Sequence, residues 1–262
     1  MPSLTLRYDG ELAIIEIANP PHNRFTEDMR QQLDAILADV EQGPARALLI
    51  KGNSEVFSHG LDISRWPDYG PDQLREALAR FLDTFNRFES LPIPTVAAVT
   101  GTCTGGAYEL ILRADFVIAA ASARFGSTEE SLGMVTAFGG IIRTAERAGR
   151  AFATDVAFNS TVFSAAMAEQ RGIITRTVPD DDLDHEIAEL TEHLVHGPTA
   201  AYRANKAMLN RAATAGVSAT EVVILDISMP AIASQDAHRA LVSAVDALAR
   251  GEARPPLAFD GR

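Results

Sequence analysis

Residues 101–109 read GTCTGGAYE, a turn of three glycines that leads directly into a glutamate. The preceding stretch, LPIPTVAAVT (91–100), is typical of a buried strand, and the following one, LILRADFVIAAA (110–121), is almost wholly apolar. This order predicts a buried strand, a tight turn and a helix that begins near Gly105. Glu109 then lies where the turn meets the helix.

The glycine turn has the features of a site for an oxygen that gains negative charge. The first turn of a helix carries backbone N–H groups without intrahelical partners, and glycine lets a ligand approach that backbone closely. Glu109 follows Gly106 by about one helical turn, so its carboxylate can reach the same point. Such a pair suits proton transfer at the carbon next to a carbonyl. Taken alone, however, the segment fits better a carboxylate that only complements the helix dipole.

The composition excludes several classes of protein. The chain has 262 residues, of which 47% are hydrophobic and 22% charged, as expected for a globular protein with one large domain or a domain and an appendage. A net charge of −12 argues against a nucleic-acid or anionic-membrane binder. The single Cys103 excludes an internal disulfide, and no signal peptide or membrane span is visible. A cytoplasmic location is therefore expected.

Strand-like and helix-like segments alternate as far as about residue 180, which predicts an α/β fold. Apolar stretches at residues 4–8 and 12–18 flank Asp9-Gly10 and predict a hairpin. Thr26 has the character of a helix N-cap. From about residue 185 onward the pattern is helical only.

Two further segments are expected to reach the same point as the glycine turn. Residues 53–66 (NSEVFSHGLDISRW) are predicted to be a loop that becomes helical near its end, and its glycine can help to present a second backbone N–H. Residues 124–140 (RFGSTEESLGMVTAFGG) place Glu129 in a loop between apolar anchors and glycines. Three loops that follow successive strands predict one common pocket.

Together these segments resemble the enoyl-CoA hydratase/isomerase (crotonase) superfamily. NPPHNRFTEDM resembles the family's NPP-x-NAL opening, FSHGLDIS resembles FsAGaDlk, and PIPTVAAVTGTCTGGAYELILRADFVIAA resembles kPviAAvnGxaxGGGxELalacDiriA. ARFGSTEESLGMVTAFGGIIR resembles AxFgxPEixlGixPgxGgtqrL. Each motif alone is weakly specific, but the similarity runs in order over nearly the whole chain.

The resemblance implies the fold, the division of the chain and the assembly. Residues 1–184 would form a crotonase-like spiral of ββα turns that holds an acyl-CoA site. Residues 185–262 would form a C-terminal helical trimerisation region that also covers the site. These helices carry more apolar residues than one layer needs to cover itself, and the resemblance implies a homotrimer or a hexamer made of two trimers.

The resemblance also implies the residues of the site. His59 and Gly106 would supply two backbone N–H groups that polarise a thioester carbonyl and stabilise the enolate that follows. Glu109 and Glu129 match the two family glutamates, of which hydratases use one to activate water and one to exchange a proton at Cα. No metal and no redox cofactor is expected, since coenzyme A is part of the substrate. The expected substrate-binding residues are Arg24, Phe57, Gly60, Leu61, Asp62, Ile63, Trp66, Gly105 and Phe138.

The chain departs from the family pattern at positions that bear on the chemistry. His59 stands where the family often has Ala, Thr128 replaces a Pro, and Phe138 adds bulk near the expected acyl site. The C-terminal Phe and Lys that hold the adenine and 3′-phosphate of CoA in the family have no clear match. Arg250 or Arg254 would either replace them or belong to a solvated helix end.

The two glutamates favour an enoyl-CoA hydratase, a lyase that adds water syn across an α,β-unsaturated acyl-CoA thioester. The first alternative is a double-bond isomerase, which needs only one base, and other crotonase-type acyl-CoA reactions use the same backbone donors. An alternative of another class is a catalytically silent CoA-binding scaffold, because a fold alone does not determine activity.

Overall fold

The computed structural model describes residues 3–53 and 55–261. Its larger sheet has six strands in the order β1-β2-β3-β5-β7-β10. Their bounds are Leu4–Asp9 (β1), Leu12–Ile17 (β2), Ala47–Lys51 (β3), Thr95–Val99 (β5), Phe116–Ala120 (β7) and Arg176–Val178 (β10). The predicted hairpin is confirmed, because β1 and β2 are antiparallel and Leu4 lies opposite Ile17, whereas the other neighbours are parallel.

A smaller sheet of four short strands lies beside it in the order β4-β6-β8-β9. The strands are Val56–Ser58 (β4), Thr102–Thr104 (β6), Arg124–Gly126 (β8) and Val162–Ser164 (β9). The first three are parallel, and β9 is antiparallel to β8. Successive turns of the chain thus give one strand to the larger sheet and the next to the smaller one before a helix follows. This arrangement confirms the predicted spiral of ββα turns.

The helices cover the sheets and form the C-terminal part of the chain. They are Glu27–Gln42 (α1), Pro71–Ser90 (α2), Gly106–Ile111 (α3), Gly140–Ala148 (α4), Arg150–Phe158 (α5), Ala165–Gln170 (α6), Leu183–Val195 (α7), Thr199–Ala215 (α8), Val217–Glu221 (α9), Ile224–Ile232 (α10) and Gln235–Arg250 (α11). Thr26 caps α1 as predicted, since the Met29 N–H donates to its hydroxyl at 3.2 Å. None of the helices within the described ranges is long and apolar enough to cross a membrane.

The larger sheet is covered on both faces, which explains its nearly continuous apolar strands. Alternate residues of each strand face opposite sides, so Ile15 and Ile50 join the main core, whereas Ile14 and Leu49 join a second cluster. Helix α7 contributes Leu183, Ile187, Leu194 and Val195 to the second cluster. The main core lies on the other face and contains the buried aromatic residues of α2.

Two groups of large apolar side chains are left exposed. The first, here called the C-terminal apolar surface, consists of Val222, Ile224, Leu225, Met229, Ile232, Leu241, Val242, Val245 and Leu248. The second, here called the loop apolar surface, consists of Leu132, Val135, Ile142, Phe158 and Val162. Contiguous apolar patches on a protein surface commonly mark sites of interaction.

Candidate active site

Successive turns of the spiral bring their loops to one cavity of about 130 Å³. The loop after β4, the turn between β6 and α3, and the segment after β8 all contribute to its wall. The sequence singled out ten of its lining residues: Arg24, His59, Leu61, Ile63, Trp66, Gly105, Gly106, Glu109, Glu129 and Phe138. The structure therefore brings together the four residues expected to act in catalysis and six of those expected to bind substrate.

Glycine backbone allows the first two loops to touch. A Cβ on Gly60 would lie 3.0 Å from the nitrogen of Gly106 and 3.0 Å from the carbonyl oxygen of Thr104. Gly60 also has a φ of +89°, which side chains rarely adopt. Only glycine at this position lets the chain after β4 pass so close to the start of α3.

Three expected substrate-binding residues are absent from the cavity wall. The Phe57 side chain is fully buried in the main core, because it belongs to the short strand β4. Gly60 lies behind the wall and acts through the close approach of its backbone. Asp62 accepts the N–H of Ser64 at 2.9 Å, and this hydrogen bond lowers the pKa of the Asp62 carboxyl. The sequence interpretation conversely missed the apolar lining residues Leu132, Met134 and Val135.

The hydrogen bonds correct the assignment of one backbone donor. The N–H of His59 donates to the carbonyl of His22 at 3.0 Å, so it is not directed at the cavity. The N–H of Phe25 bonds Gly60, and the carbonyl of Phe25 accepts from Asp62. In such a parallel bridge the N–H of the middle residue, Leu61, points away from Phe25. Leu61 lines the cavity, and its N–H has no acceptor among residues 3–53 and 55–261.

The carboxyl of Glu109 is buried, with 1% of the residue exposed. Its Oε1 accepts the N–H of Phe138 at 2.9 Å and the N–H of Gly140 at 2.7 Å. Burial raises the pKa of this carboxyl to about 8, and the charge of Glu129 acts in the same direction. The two backbone hydrogen bonds and the charge of Arg113 oppose the shift without cancelling it. Glu109 therefore holds its proton at neutral pH.

The segment that leads into α4 is shaped around Glu109. A Cβ on Gly140 would lie 2.8 Å from the Glu109 Cγ, so glycine is required where the two N–H groups reach the carboxyl. The side chain of Phe138 packs in the core. The centroid of its ring lies 5.3 Å from that of Phe85 and 6.2 Å from that of Phe81. Phe138 is therefore a buried aromatic part of the cavity wall.

The second carboxylate, that of Glu129, is held differently. The hydroxyl of the buried Ser127 donates to its Oε2 at 2.6 Å. Its Oε1 lies on the side of Gly105, 3.4 Å from the point that a Cβ on that glycine would occupy. The Glu109 carboxyl thus accepts two backbone N–H groups, whereas the Glu129 carboxyl accepts the hydroxyl of Ser127. Two carboxyls in unequal environments provide one acid and one base.

Two basic side chains, those of Arg24 and His59, line the cavity, and a third, that of His22, contacts His59. The rings of His22 and His59 are 4.7 Å apart, and Arg24 lines the cavity beside them. The pKa of the His59 imidazole is lowered by its burial and then by His22 and Arg24. Within the described chain, the Arg24 guanidinium makes no hydrogen bond and no ion pair within 4 Å, although its charge also acts on Asp62.

Larger cavities exist, but they lack this combination of groups. One of about 410 Å³ lies between α8 and β7. Its Lys206 is engaged with Asp115 at 2.7 Å and with the carbonyl of Ile93 at 3.2 Å. These contacts tie α8 to the sheet, and neither Glu109 nor Glu129 lines this cavity.

Comparisons with known proteins agree with this geometry. A family model described as enoyl-CoA hydratase/isomerase matches residues 7–242, so the chain belongs to that family and is an enzyme of the crotonase superfamily. A probable enoyl-CoA hydratase of Rhodobacter capsulatus is 32% identical over 205 residues, which are 77% of this chain and 79% of the relative. A crotonyl-CoA hydratase of Syntrophomonas wolfei is 27% identical over 237 residues, 89% of this chain and 91% of the relative.

The solved structures give the same result. The enoyl-CoA hydratase subunit I of Geobacillus kaustophilus has a TM-score of 0.88 and 27% identity, and the alignment covers 99% of this chain and 98% of that one. The family and the fold predicted from the ordered motifs are thereby confirmed.

The burial of Glu109 predicts a pH-dependent cost to stability. Because its pKa rises from 4.5 to about 8 on folding, the associated stability is complete below pH 4.5 and is lost as the pH rises through about 8. Glu109→Gln keeps an acceptor for both N–H groups and removes the charge. We expect the variant to match the wild type near pH 4.5 and to be more stable at pH 9, by up to about 1.4 kcal/mol for each unit of the shift.

Urea unfolding at a series of pH values measures this difference. The matched control is Glu130→Gln, which removes a neighbouring exposed carboxylate that accepts only the Ser160 hydroxyl at 3.0 Å. This control is expected to show no such gain at high pH. Equal stability of Glu109→Gln and the wild type at pH 9 would contradict the proposed environment of Glu109.

Proposed function

We propose that this protein is an enoyl-CoA hydratase that adds water syn across the double bond of an α,β-unsaturated acyl-CoA thioester. The observation that carries the proposal is the meeting of Glu109 and Glu129 with the backbone N–H groups of Leu61 and Gly106 in one cavity. Two carboxyls allow one proton to leave a water molecule while another reaches Cα. The names of the relatives from Rhodobacter capsulatus and Syntrophomonas wolfei support the same reaction.

In the proposed mechanism, the thioester oxygen accepts from Leu61 and Gly106. Attack of water at Cβ drives electrons onto this oxygen, and preorganised N–H donors stabilise the resulting enolate. The carboxylate of the pair accepts the proton of the water, and the carboxylic acid of the pair donates a proton to Cα. We describe the two glutamates as one titrating pair, because interacting carboxyls lose their protons in steps that belong to both.

The cavity supports a short acyl group. Its volume is about 130 Å³, and the bulky ring of Phe138 forms part of its wall. The apolar side chains of Ile63 and Trp66 line the wall and suit an alkyl chain.

Arg24 is our candidate for binding the phosphates of CoA. It is the cation at the cavity rim whose guanidinium makes no ion pair within the described chain. Arg250, in contrast, donates to Glu252 at 2.8 Å, as expected for a charged helix end. A guanidinium binds phosphate oxygens well because its N–H groups match them in geometry and charge.

We further propose that the chain assembles as a homotrimer, or as a hexamer of two trimers, in which residues 185–262 of one copy contact the loop apolar surface of the next. A ring-shaped trimer needs two different surfaces that meet, and the C-terminal and loop apolar surfaces provide such a pair. Leu132 and Val135 of the loop apolar surface are 56% and 76% exposed, and they also line the cavity. A neighbouring copy on this surface would cover the site.

The reaction is tested by replacing each glutamate separately. Because both carboxyls move a proton, we expect Glu109→Gln and Glu129→Gln each to lower hydration of crotonyl-CoA by about 10²- to 10⁴-fold. Loss of the absorbance of the conjugated thioester measures the rate, and Glu130→Gln is the control with full activity. No hydration by the folded wild type on any chain length would refute the proposal.

The same variants separate the alternatives. A one-base isomerase would retain double-bond migration in one of the two variants, and 3-enoyl-CoA is the substrate that reveals it. A silent scaffold would bind acyl-CoA in a calorimeter and convert none of it.

The role of Arg24 is tested with two substrates that differ only in the nucleotide. We expect Arg24→Ala to raise KM for crotonyl-CoA by about 10-fold or more, because a charge-assisted hydrogen bond contributes about 1.5–3 kcal/mol. Crotonyl-pantetheine lacks the nucleotide phosphates, so its KM is expected to stay the same. Arg75→Ala removes an exposed arginine of α2 and is the charge-matched control. An equal loss with both substrates would place Arg24 against the acyl group instead.

The assembly is tested by sedimentation at micromolar concentration. We expect the mass of a trimer or hexamer, and we expect Leu241→Asp to dissociate it, since a charge would be buried in the C-terminal apolar surface. An unchanged far-UV spectrum shows that the variant is folded. A stable wild-type monomer across the concentration range would contradict the proposal.

A further inference from the structure

Thr128 brings a hydroxyl to the cavity beside the second glutamate. It follows Ser127 and precedes Glu129, in the segment between β8 and Gly133. The Ser127 hydroxyl is already engaged with the Glu129 carboxylate at 2.6 Å. Thr128 lines the cavity, and its Oγ1 has no hydrogen-bond partner within residues 3–53 and 55–261. The site described above uses no side chain at this position.

Gly105, Thr128 and Glu129 line the same part of the cavity wall. The point that a Cβ on Gly105 would occupy lies 3.4 Å from the Glu129 Oε1 and 3.7 Å from the Thr128 Oγ1. Both oxygens therefore lie close to Gly105, the glycine that precedes the donor Gly106, and both belong to side chains that line the cavity.

A water molecule that occupies the cavity beside these two oxygens would have two polar partners. An ordered water needs two to four such partners. The Glu129 oxygen accepts one hydrogen of the water, and a threonine hydroxyl can donate to the water or accept from it. The Pro that Thr128 replaces in the family motif has no side-chain group able to do either.

We propose that Thr128 is a positioning residue that, together with Glu129, orients the water for addition to the double bond. The inference rests on the proposed hydratase function. In the step, the water oxygen bonds to Cβ and one water proton passes to the carboxylate of the pair. The π electrons move to the thioester oxygen, and Cα then takes a proton from the carboxylic acid of the pair. Thr128 keeps its own proton throughout and acts only through the orientation of the water.

The central variant is Thr128→Val, which removes the hydroxyl and nearly preserves the shape of the side chain. We expect kcat for hydration of crotonyl-CoA to fall about 10-fold, as for the loss of one hydrogen bond, with KM unchanged. Thr128→Ser restores the hydroxyl and is expected to recover most of the rate. Ser131→Ala removes an exposed hydroxyl of the same segment, which donates to the Thr128 carbonyl, and is expected to keep the full rate.

A second reaction separates positioning of water from general damage to the site. Exchange of the Cα protons of butyryl-CoA in D₂O needs the carboxyls and the backbone donors, but no water attacks Cβ. We expect Thr128→Val to exchange these protons at the wild-type rate. Equal losses in hydration and exchange, or no loss in hydration, would overturn the inference. A wild type that hydrates no substrate would refute the proposed function itself, so the two failures are distinguishable.

Discussion

A buried carboxyl, that of Glu109, constrains the rest of the site. Removing a carboxylate from water is unfavourable, and the fold offsets only part of this cost with the N–H groups of Phe138 and Gly140. The result is a carboxyl that keeps its proton at neutral pH, beside a second carboxyl from another loop. Perturbed titration of this kind is characteristic of sites that move protons. Glycine at the first position of α4 serves this environment, because a Cβ there would lie 2.8 Å from the Glu109 Cγ.

The spiral explains why distant segments meet at Glu109. Each turn places one strand in the larger sheet and one in the smaller sheet, and β4, β6 and β8 run parallel. The carboxyl ends of parallel strands meet at the same edge of a sheet, so the loops that follow them converge. Glycine then lets two of these loops come into contact. A Cβ on Gly60 would lie only 3.0 Å from the nitrogen of Gly106. The reactive groups lie on these loops or, as with Gly106 and Glu109, in the first turn of the helix that follows one of them.

Three polar side chains at this cavity stand at positions where the family motifs have other residues. His59 brings an imidazole to the rim, Arg24 brings a cation, and Thr128 brings a hydroxyl to a position where the motif has Pro. These side-chain changes leave the N–H groups of Leu61 and Gly106 in place, because the direction of a backbone N–H depends on the path of the chain. The bridge between Phe25 and Leu61 fixes that path, and it directs the N–H of Leu61 away from Phe25.

The sequence by itself determined the elements that depend on local chemistry. The hairpin at Asp9-Gly10, the cap at Thr26, the strand–turn–helix around Gly105 and the helical C-terminal part were all predicted, because turn residues and apolar periodicity act within a few residues. The order of the motifs also identified the family and both glutamates. Tertiary structure decided the rest. Strands β4 and β6 are three residues long, too short for a periodic pattern, and exist only through pairing with each other and with β8.

The identity of the first backbone donor and the environment of Glu109 were likewise decided by tertiary structure. The choice of Leu61 over His59 depends on hydrogen bonds to the segment that contains His22 and Phe25. The partners of Glu109 lie 29 and 31 residues away in the chain. No local pattern encodes such pairings, because they form only when packing brings remote backbone groups to one carboxyl and excludes water from it.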